Sequence, residues 1–146
     1  MKAILLIGML ALFVYANKPT FSQCDPSLFS DDPVFIIDTD QTYTDPESVD
    51  KGKDAKLYIN GFMTEDIQLS LLELDVYFAG TFLQNVTSPE TDVAVAGNPF
   101  TLEFDVFIPG FAPTGDYELH AFVWGKSASS DEDARKLSCL SVKFAF

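Results

Sequence analysis

The stretch Phe100–Trp124, FTLEFDVFIPGFAPTGDYELHAFVW, decides the fold class, because it reads as strand, turn and strand. From position 100 to position 108 every second residue is apolar, and a period of two gives a β-strand one apolar face. The connection 109–115 holds two prolines and two glycines, which do not continue a strand. A second apolar set follows at alternate positions, Tyr117, Leu119, Ala121 and Val123. The stretch therefore predicts a hairpin-like unit whose apolar face the rest of the chain covers.

The same alternation recurs along the rest of the chain and predicts seven strands, near 33–38, 55–62, 67–79, 81–86, 100–108, 116–125 and 137–146. The apolar phase slips by one residue between Leu71 and Leu72, which is the sequence sign of a β-bulge. Gly61 indicates a bulge or a close approach of two backbones. Short strands separated by turn signals predict an all-β fold, an immunoglobulin-like antiparallel β-sandwich.

Residues 1–16, MKAILLIGMLALFVYA, predict a secretory signal peptide. The uncharged run is shorter than the roughly 20 apolar residues that a spanning helix needs. Cleavage is expected after Ala16, with Ser22 as the alternative. Removing 16 of the 146 residues leaves 130, a usual size for one domain, here 17–146. The expected destination is the outside medium or an endolysosomal lumen.

Charge and motifs exclude several classes of function. The formal net charge of −13 does not suit a nucleic-acid partner, which needs a basic surface. The chain has no nucleophile elbow, no glycine-rich phosphate loop and no clustered metal ligands, so we expect neither an enzyme nor a cofactor or metal. His120, the only histidine, alternates with apolar neighbours and is expected to face out. The run from Asp38 resembles a calcium loop but lacks its glycine and its twelfth-position Glu.

Two cysteines, Cys24 and Cys139, lie near opposite ends of the mature chain. In an oxidising compartment they are expected to form a disulfide, with two free buried thiols as the alternative. Two cysteines and one histidine do not support a zinc site. Asn85 begins the sequon Asn-Val-Thr and is an expected N-glycosylation site, facing solvent in a loop that follows a short strand.

The C-terminal half resembles the ML lipid-recognition family. The resemblance rests on three segments, Phe104–Pro109 (FDVFIP), Ala112–Leu119 (APTGDYEL) and Leu137–Leu140 (LSCL), followed by the alternating tail. In that family the first cysteine bonds to the last, which matches Cys24 and Cys139. This chain lacks the extra internal cysteine pairs of several branches. Its closest likeness is to the phosphatidylglycerol/phosphatidylinositol transfer and lysosomal sterol-carrier members.

The resemblance implies a sandwich whose two sheets are splayed apart around an apolar cavity. It further implies a lipid-binding and lipid-transfer protein with a phospholipid or sterol ligand, transient membrane contact and a monomeric state. The residues expected to line the cavity occupy the inferred inward faces: Leu57, Ile59, Leu74, Val76, Phe78, Phe100, Phe104, Val106, Leu119, Ala121, Val123, Val142 and Phe144.

Other interpretations remain open from the residues alone. The same inward side chains equally suit a close-packed core, and the chain would then be an adhesion or receptor-partner module without a ligand cavity. A lipid-sensing adaptor is a third hypothesis. The charges of the segment 50–56 alternate in sign, which is typical of a solvated turn but also suits lysines that contact lipid head groups.

Overall fold

The computed structural model describes residues 17–146, so the predicted signal peptide lies outside the described residues. The described chain consists of ten strands: β1 (Thr20–Gln23), β2 (Phe35–Ile37), β3 (Tyr43–Asp45), β4 (Asp54–Met63), β5 (Ile67–Phe78), β6 (Thr81–Pro89), β7 (Val93–Ala94), β8 (Pro99–Phe107), β9 (Asp116–Ser127) and β10 (Arg135–Ala145). Within residues 17–146 we find no helix that could cross a membrane. The predicted all-β fold is confirmed.

Two antiparallel sheets form a sandwich. The larger has six strands in the order β1-β10-β9-β5-β6, and β7 pairs with β5 next to β6. In the smaller sheet, β8 runs along one side of β4 over its whole length. The short strands β2 and β3 share the other side of β4, β2 at its end and β3 nearer its start. Strands β6 and β8 are each outermost in their sheet, and they lie on the same side of the sandwich, where residues of both line one cavity.

The prediction that Phe100–Trp124 forms a hairpin-like unit is wrong. β8 pairs with β4 in the smaller sheet, whereas β9 lies between β5 and β10 in the larger one. The chain crosses from one sheet to the other through residues 108–115. Sheets in a sandwich are about 10 Å apart, a distance that eight residues span with ease. Alternation specified which face each strand buries, and it left open which strand pairs with which.

All seven predicted strands are present, and three short ones, β1, β3 and β7, were missed. Each has two to four residues, too few for a period to show, and each is held by backbone pairing to a longer strand. β6 also runs on to Pro89 rather than ending near position 86. The alternative cleavage point after Ser22 falls inside β1, whose residues pair with 140–143 of β10.

Local irregularities follow the sequence signals. The pairing of β5 with β9 shifts between Leu69 and Leu71, which confirms the bulge and lets Leu69 and Leu72 both be buried. At Gly61 an added Cβ would clash with the backbone of Ile36 and lie 2.8 Å from a ring carbon of Phe35. The close backbone approach expected there is confirmed.

The inner faces of both sheets meet in one apolar core. The segment that follows β1 is joined to β10 by the disulfide between Cys24 and Cys139, with Cα atoms 5.5 Å apart. The predicted pairing is confirmed, and no free cysteine remains in the described residues.

Candidate functional site

A crevice opens between the two sheets where their outermost strands β6 and β8 face each other. Among residues 17–146 these two strands share no backbone pairing. The cavity between them measures about 210 Å³. It is lined by Leu74, Val76, Gln84, Val86, Asp105, Val106, Phe107, Ile108 and Leu119.

The crevice has an apolar floor and a mixed rim. Its floor is formed by buried side chains from the inner faces of β5, β8 and β9, so it is continuous with the core. At the rim, Val86 is 38% exposed and Phe107 is also exposed. Gln84 and Asp105 supply the polar groups of the rim. An apolar floor with a few polar groups is the usual chemistry of a small-molecule site.

The volume limits what the crevice holds as it stands. Sites for drug-sized ligands measure about 300–1,000 Å³, so this crevice takes only a short apolar segment. A lipid chain requires β6 and β8 to move apart. No ladder of hydrogen bonds joins these two strands, so moving them apart would break no backbone pairing between them.

Four of the thirteen predicted lining residues, Leu74, Val76, Val106 and Leu119, line the crevice. The others lie in the core or against it: Leu57, Ile59, Phe78, Phe100, Phe104, Ala121, Val123, Val142 and Phe144. Val123 is 0% exposed and contributes to none of the concavities described here. Lipid contact by these thirteen residues stays a prediction.

Sequence reasoning missed the remaining lining residues. Ile108 completes the alternation that begins at Phe100, so its inward face was readable from the sequence. Gln84, Val86, Asp105 and Phe107 line the crevice only because their strands are outermost in their sheets. The sequence has no signal for which strands are outermost, because this depends on which strands pair.

His120 lies on the outer face of the larger sheet, as expected, but it is only 6% exposed. The ring of Tyr77 covers it at a centroid distance of 4.7 Å, and its Nε2 lies 2.8 Å from Oε1 of Glu118. Ser141 donates its hydroxyl hydrogen bond to the same oxygen at 2.9 Å. Since the hydroxyl is directed at the carboxylate rather than the imidazole, this cluster lacks the pairing of nucleophile and base that activates a serine.

Burial of the Glu118 carboxyl raises its pKa. Hydrogen bonds from His120 and Ser141 and the nearby ammonium of Lys143 outweigh this effect, so the pKa is lowered overall. The carboxylate therefore stays ionised at neutral pH and holds β9 to β10 across the outer face.

Asn85 is exposed on the outer face of β6, within the strand rather than in a loop after it. Its Nδ2 donates to Oδ1 of Asp75 at 2.6 Å and to Oε1 of Glu73 at 3.0 Å. Trp124 donates its indole hydrogen bond to the other oxygen of Glu73 at 2.6 Å. Glycosylation of Asn85 stays a prediction.

A second concavity lies on the outer face of the smaller sheet and measures about 690 Å³. Ile36, Phe62 and Pro99 are among its apolar lining residues. Beyond it on the same face, the rings of Tyr43 and Tyr58 stack at 4.8 Å. This outer groove is separate from the crevice.

No family model and no curated protein matches the chain. Among solved structures, the C-terminal domain of wzt is similar with a TM-score of 0.49 and 14% identity, over 78% of this chain and 77% of that one. A Niemann-Pick type C2 protein from the Japanese carpenter ant is similar with a TM-score of 0.47 and 11% identity, over 87% of each chain. At these values neither similarity carries a conclusion about family or function.

Proposed function

We propose that this chain is a lipid-binding and lipid-transfer protein of the ML type, which takes apolar lipid chains between its two sheets. The observation that supports this function best is the crevice between β6 and β8, whose apolar floor continues into the intersheet core. The resemblance in sequence from Phe100 onward and the disulfide between the first and last cysteines agree with it. A phospholipid or a sterol is the proposed ligand.

The proposed mechanism begins with separation of β6 from β8. Apolar groups of the lipid leave the bilayer and enter between the sheets, where they stay shielded from water. Each Å² of apolar surface kept from water is worth about 25 cal/mol, and the bilayer already provides that burial. The free energy of burying the lipid in the protein must therefore be close to that of burying it in the bilayer, because a lipid held more tightly would not be released at the acceptor membrane. The proposed setting is the outside medium or the endolysosomal lumen, with the chain acting as a monomer and without catalysis.

Solvent extraction of the purified protein followed by mass spectrometry tests this proposal. We expect a lipid in about stoichiometric amount, or pickup of labelled lipid from vesicles after delipidation. Replacing Val86 at the rim by Trp should close the crevice and lower pickup, with little change in stability because Val86 is partly exposed. The matched control is Val93→Trp, a change at an exposed valine that does not line the crevice. Equal pickup by both variants and the parent would contradict the proposal.

An adhesion or receptor-partner module is the second candidate, and the outer groove on the smaller sheet favours it. That surface presents exposed Phe62 and the stacked pair Tyr43 and Tyr58, and aromatic side chains are enriched in protein interfaces. This function predicts a protein that neither retains nor picks up lipid. Its binding to a cell surface or receptor would then be lost on Phe62→Ser and kept on Val86→Trp.

A further inference from the structure

The connection between β8 and β9 carries the most exposed large apolar side chain in the described part of the protein. Phe111 is 90% exposed, far more than any other such residue there. The run from Val106 to Gly115 has no charged side chain, in a chain whose net charge is −13. A fully exposed phenyl ring on an uncharged loop offers apolar surface that a partner can bury.

Two hydrogen bonds hold this loop. The backbone N–H of Ala112 donates to the carbonyl of Pro109 at 3.0 Å, which closes a turn with Phe111 near its tip. The hydroxyl of Tyr117 donates to the carbonyl of Pro113 at 2.8 Å. Phe111 therefore lies exposed on a hydrogen-bonded turn, and such a turn lowers the cost of ordering the loop when a partner binds.

A turn that contains two lysines packs directly against the loop. Gly52 donates its N–H to the carbonyl of Ile108 at 2.7 Å, and a Cβ placed on Gly52 would lie 3.5 Å from Cα of Gly110. Lys51 Nζ donates to the hydroxyl of Thr114 at 3.0 Å and lies 5.2 Å from the centroid of the Phe146 ring, so one ammonium group sits at the C-terminal side of the loop. Lys53 pairs with Asp50 at 3.0 Å.

The loop and the turn that packs against it carry no net charge between them. In the segment 50–54 the two lysines balance Asp50 and Asp54, and the loop itself adds no charge. The remainder of the chain therefore carries the net negative charge. An anionic surface that approaches the tip of the loop meets no carboxylate within the run 106–115, and the first ones beyond it along the chain are Asp105 and Asp116.

One further apolar side chain packs against the loop. Phe78, at the end of β5, approaches the loop so closely that a Cβ on Gly115 would lie 2.8 Å from its ring. The turn that follows it leads into β6, where exposed Phe82 packs against Tyr77 on the outer face of the larger sheet.

We propose that Phe111 and Lys51 form a docking surface for a phospholipid bilayer, with the phenyl ring inserted at the boundary of head groups and acyl chains and the ammonium at the lipid phosphates. Apolar side chains beside a basic group are the usual chemistry of such peripheral contacts. Ile108, the first residue of the loop, also lines the crevice, so docking brings the crevice next to the bilayer. This inference rests on the proposed function, which needs a membrane as the source of lipid.

Co-sedimentation with vesicles tests the docking surface. The vesicles contain phosphatidylcholine alone or with an equal part of phosphatidylglycerol. Phe111→Ser should weaken vesicle binding about tenfold, since partial burial of a Phe ring contributes on the order of 1.4 kcal/mol. Lys51→Gln should weaken binding about fivefold, because one basic group near an anionic membrane is worth about 1 kcal/mol, and less on phosphatidylcholine alone. The matched control is Phe62→Ser, the same change at an exposed Phe near the opposite end of β4, with binding unchanged.

A reporter variant gives a second, direct reading. The chain has one tryptophan, Trp124, so Phe111→Trp adds one exposed indole whose emission should shift to the blue on vesicles and be quenched by brominated lipid. Unchanged emission, together with vesicle binding by Phe111→Ser equal to that of the parent, would overturn the docking surface. If instead the docking results hold while no variant or parent picks up lipid, the proposed function fails and the docking surface stands.

Discussion

Enlarging Val123 to Phe tests how far the space between the sheets extends. Val123 is 0% exposed on the inner face of β9, and its Cα neighbours on the adjoining strands are Leu72 on β5 and Ser138 on β10. The crevice does not reach it, because its lining on β9 is Leu119. A larger ring at this position must displace packed side chains in the closed sandwich.

Overpacking of this kind costs about 1–3 kcal/mol of unfolding free energy. For a domain of this size each kcal/mol lowers the thermal midpoint by roughly 3–5 °C, so we expect a decrease of roughly 3–15 °C. The measurement is calorimetry of delipidated protein, with the same Val→Phe change at exposed Val93 as the control. The control should shift by less than about 2 °C, since surface substitutions stay within roughly 0.5 kcal/mol.

An unchanged midpoint for Val123→Phe would refute the reasoning. It would mean that the open space reaches past the crevice to the middle of β9, and that the intersheet volume in solution is larger than 210 Å³. Lipid pickup measured on the same sample separates the two cases further. If the interior is hollow, the new ring fills it and lipid pickup falls. If the core is close-packed, the new ring overpacks it and the thermal midpoint falls.

Three further predictions concern the rest of the fold. Replacing Cys24 and Cys139 together by Ser opens a loop with a sequence separation of 115 residues and should cost about 4–5 kcal/mol by the chain-entropy model, measured by urea denaturation; an unchanged midpoint would contradict a stabilising bridge. Expression in a eukaryotic secretory host should place a glycan on exposed Asn85, seen as a mass decrease with glycosidase; an unmodified Asn85 peptide is the opposing result. Because folding lowers the pKa of Glu118, its ionised carboxylate stabilises the protein above about pH 4.5, and this stabilisation is lost as the pH falls through the pKa of the folded state, so Glu118→Gln should reduce the loss of stability between pH 7 and pH 3. The same loss of stability in variant and parent over this pH range would count against the bonds to His120 and Ser141.

The period-two pattern of apolar residues predicted much of the local structure. The alternation from Phe100 to Ile108 and from Tyr117 to Val123 assigned the inner faces of β8 and β9 as the structure has them. The phase slip at Leu71 located the bulge in β5, and Gly61 marked the close approach of β2. These features are local, because side-chain direction and backbone space depend on a residue and its immediate neighbours.

Alternation did not predict the burial of His120. Its outward direction followed from alternation, but the ring of Tyr77 on a neighbouring strand covers it. Exposure on the outer face of a sheet depends on cross-strand neighbours, and these are known only once the strands are paired.

The sequence by itself determined the all-β class, the faces of the long strands and the two cysteines available to form a bridge. Only the tertiary structure decided that β8 and β9 lie in different sheets, that β6 and β8 do not pair with each other, and that the crevice lies between them. The physical reason is that the period-two pattern encodes burial of one face, while backbone hydrogen bonds between strands carry no side-chain identity. Strand order is therefore settled by the packing of the whole chain, and the candidate site is a consequence of that order.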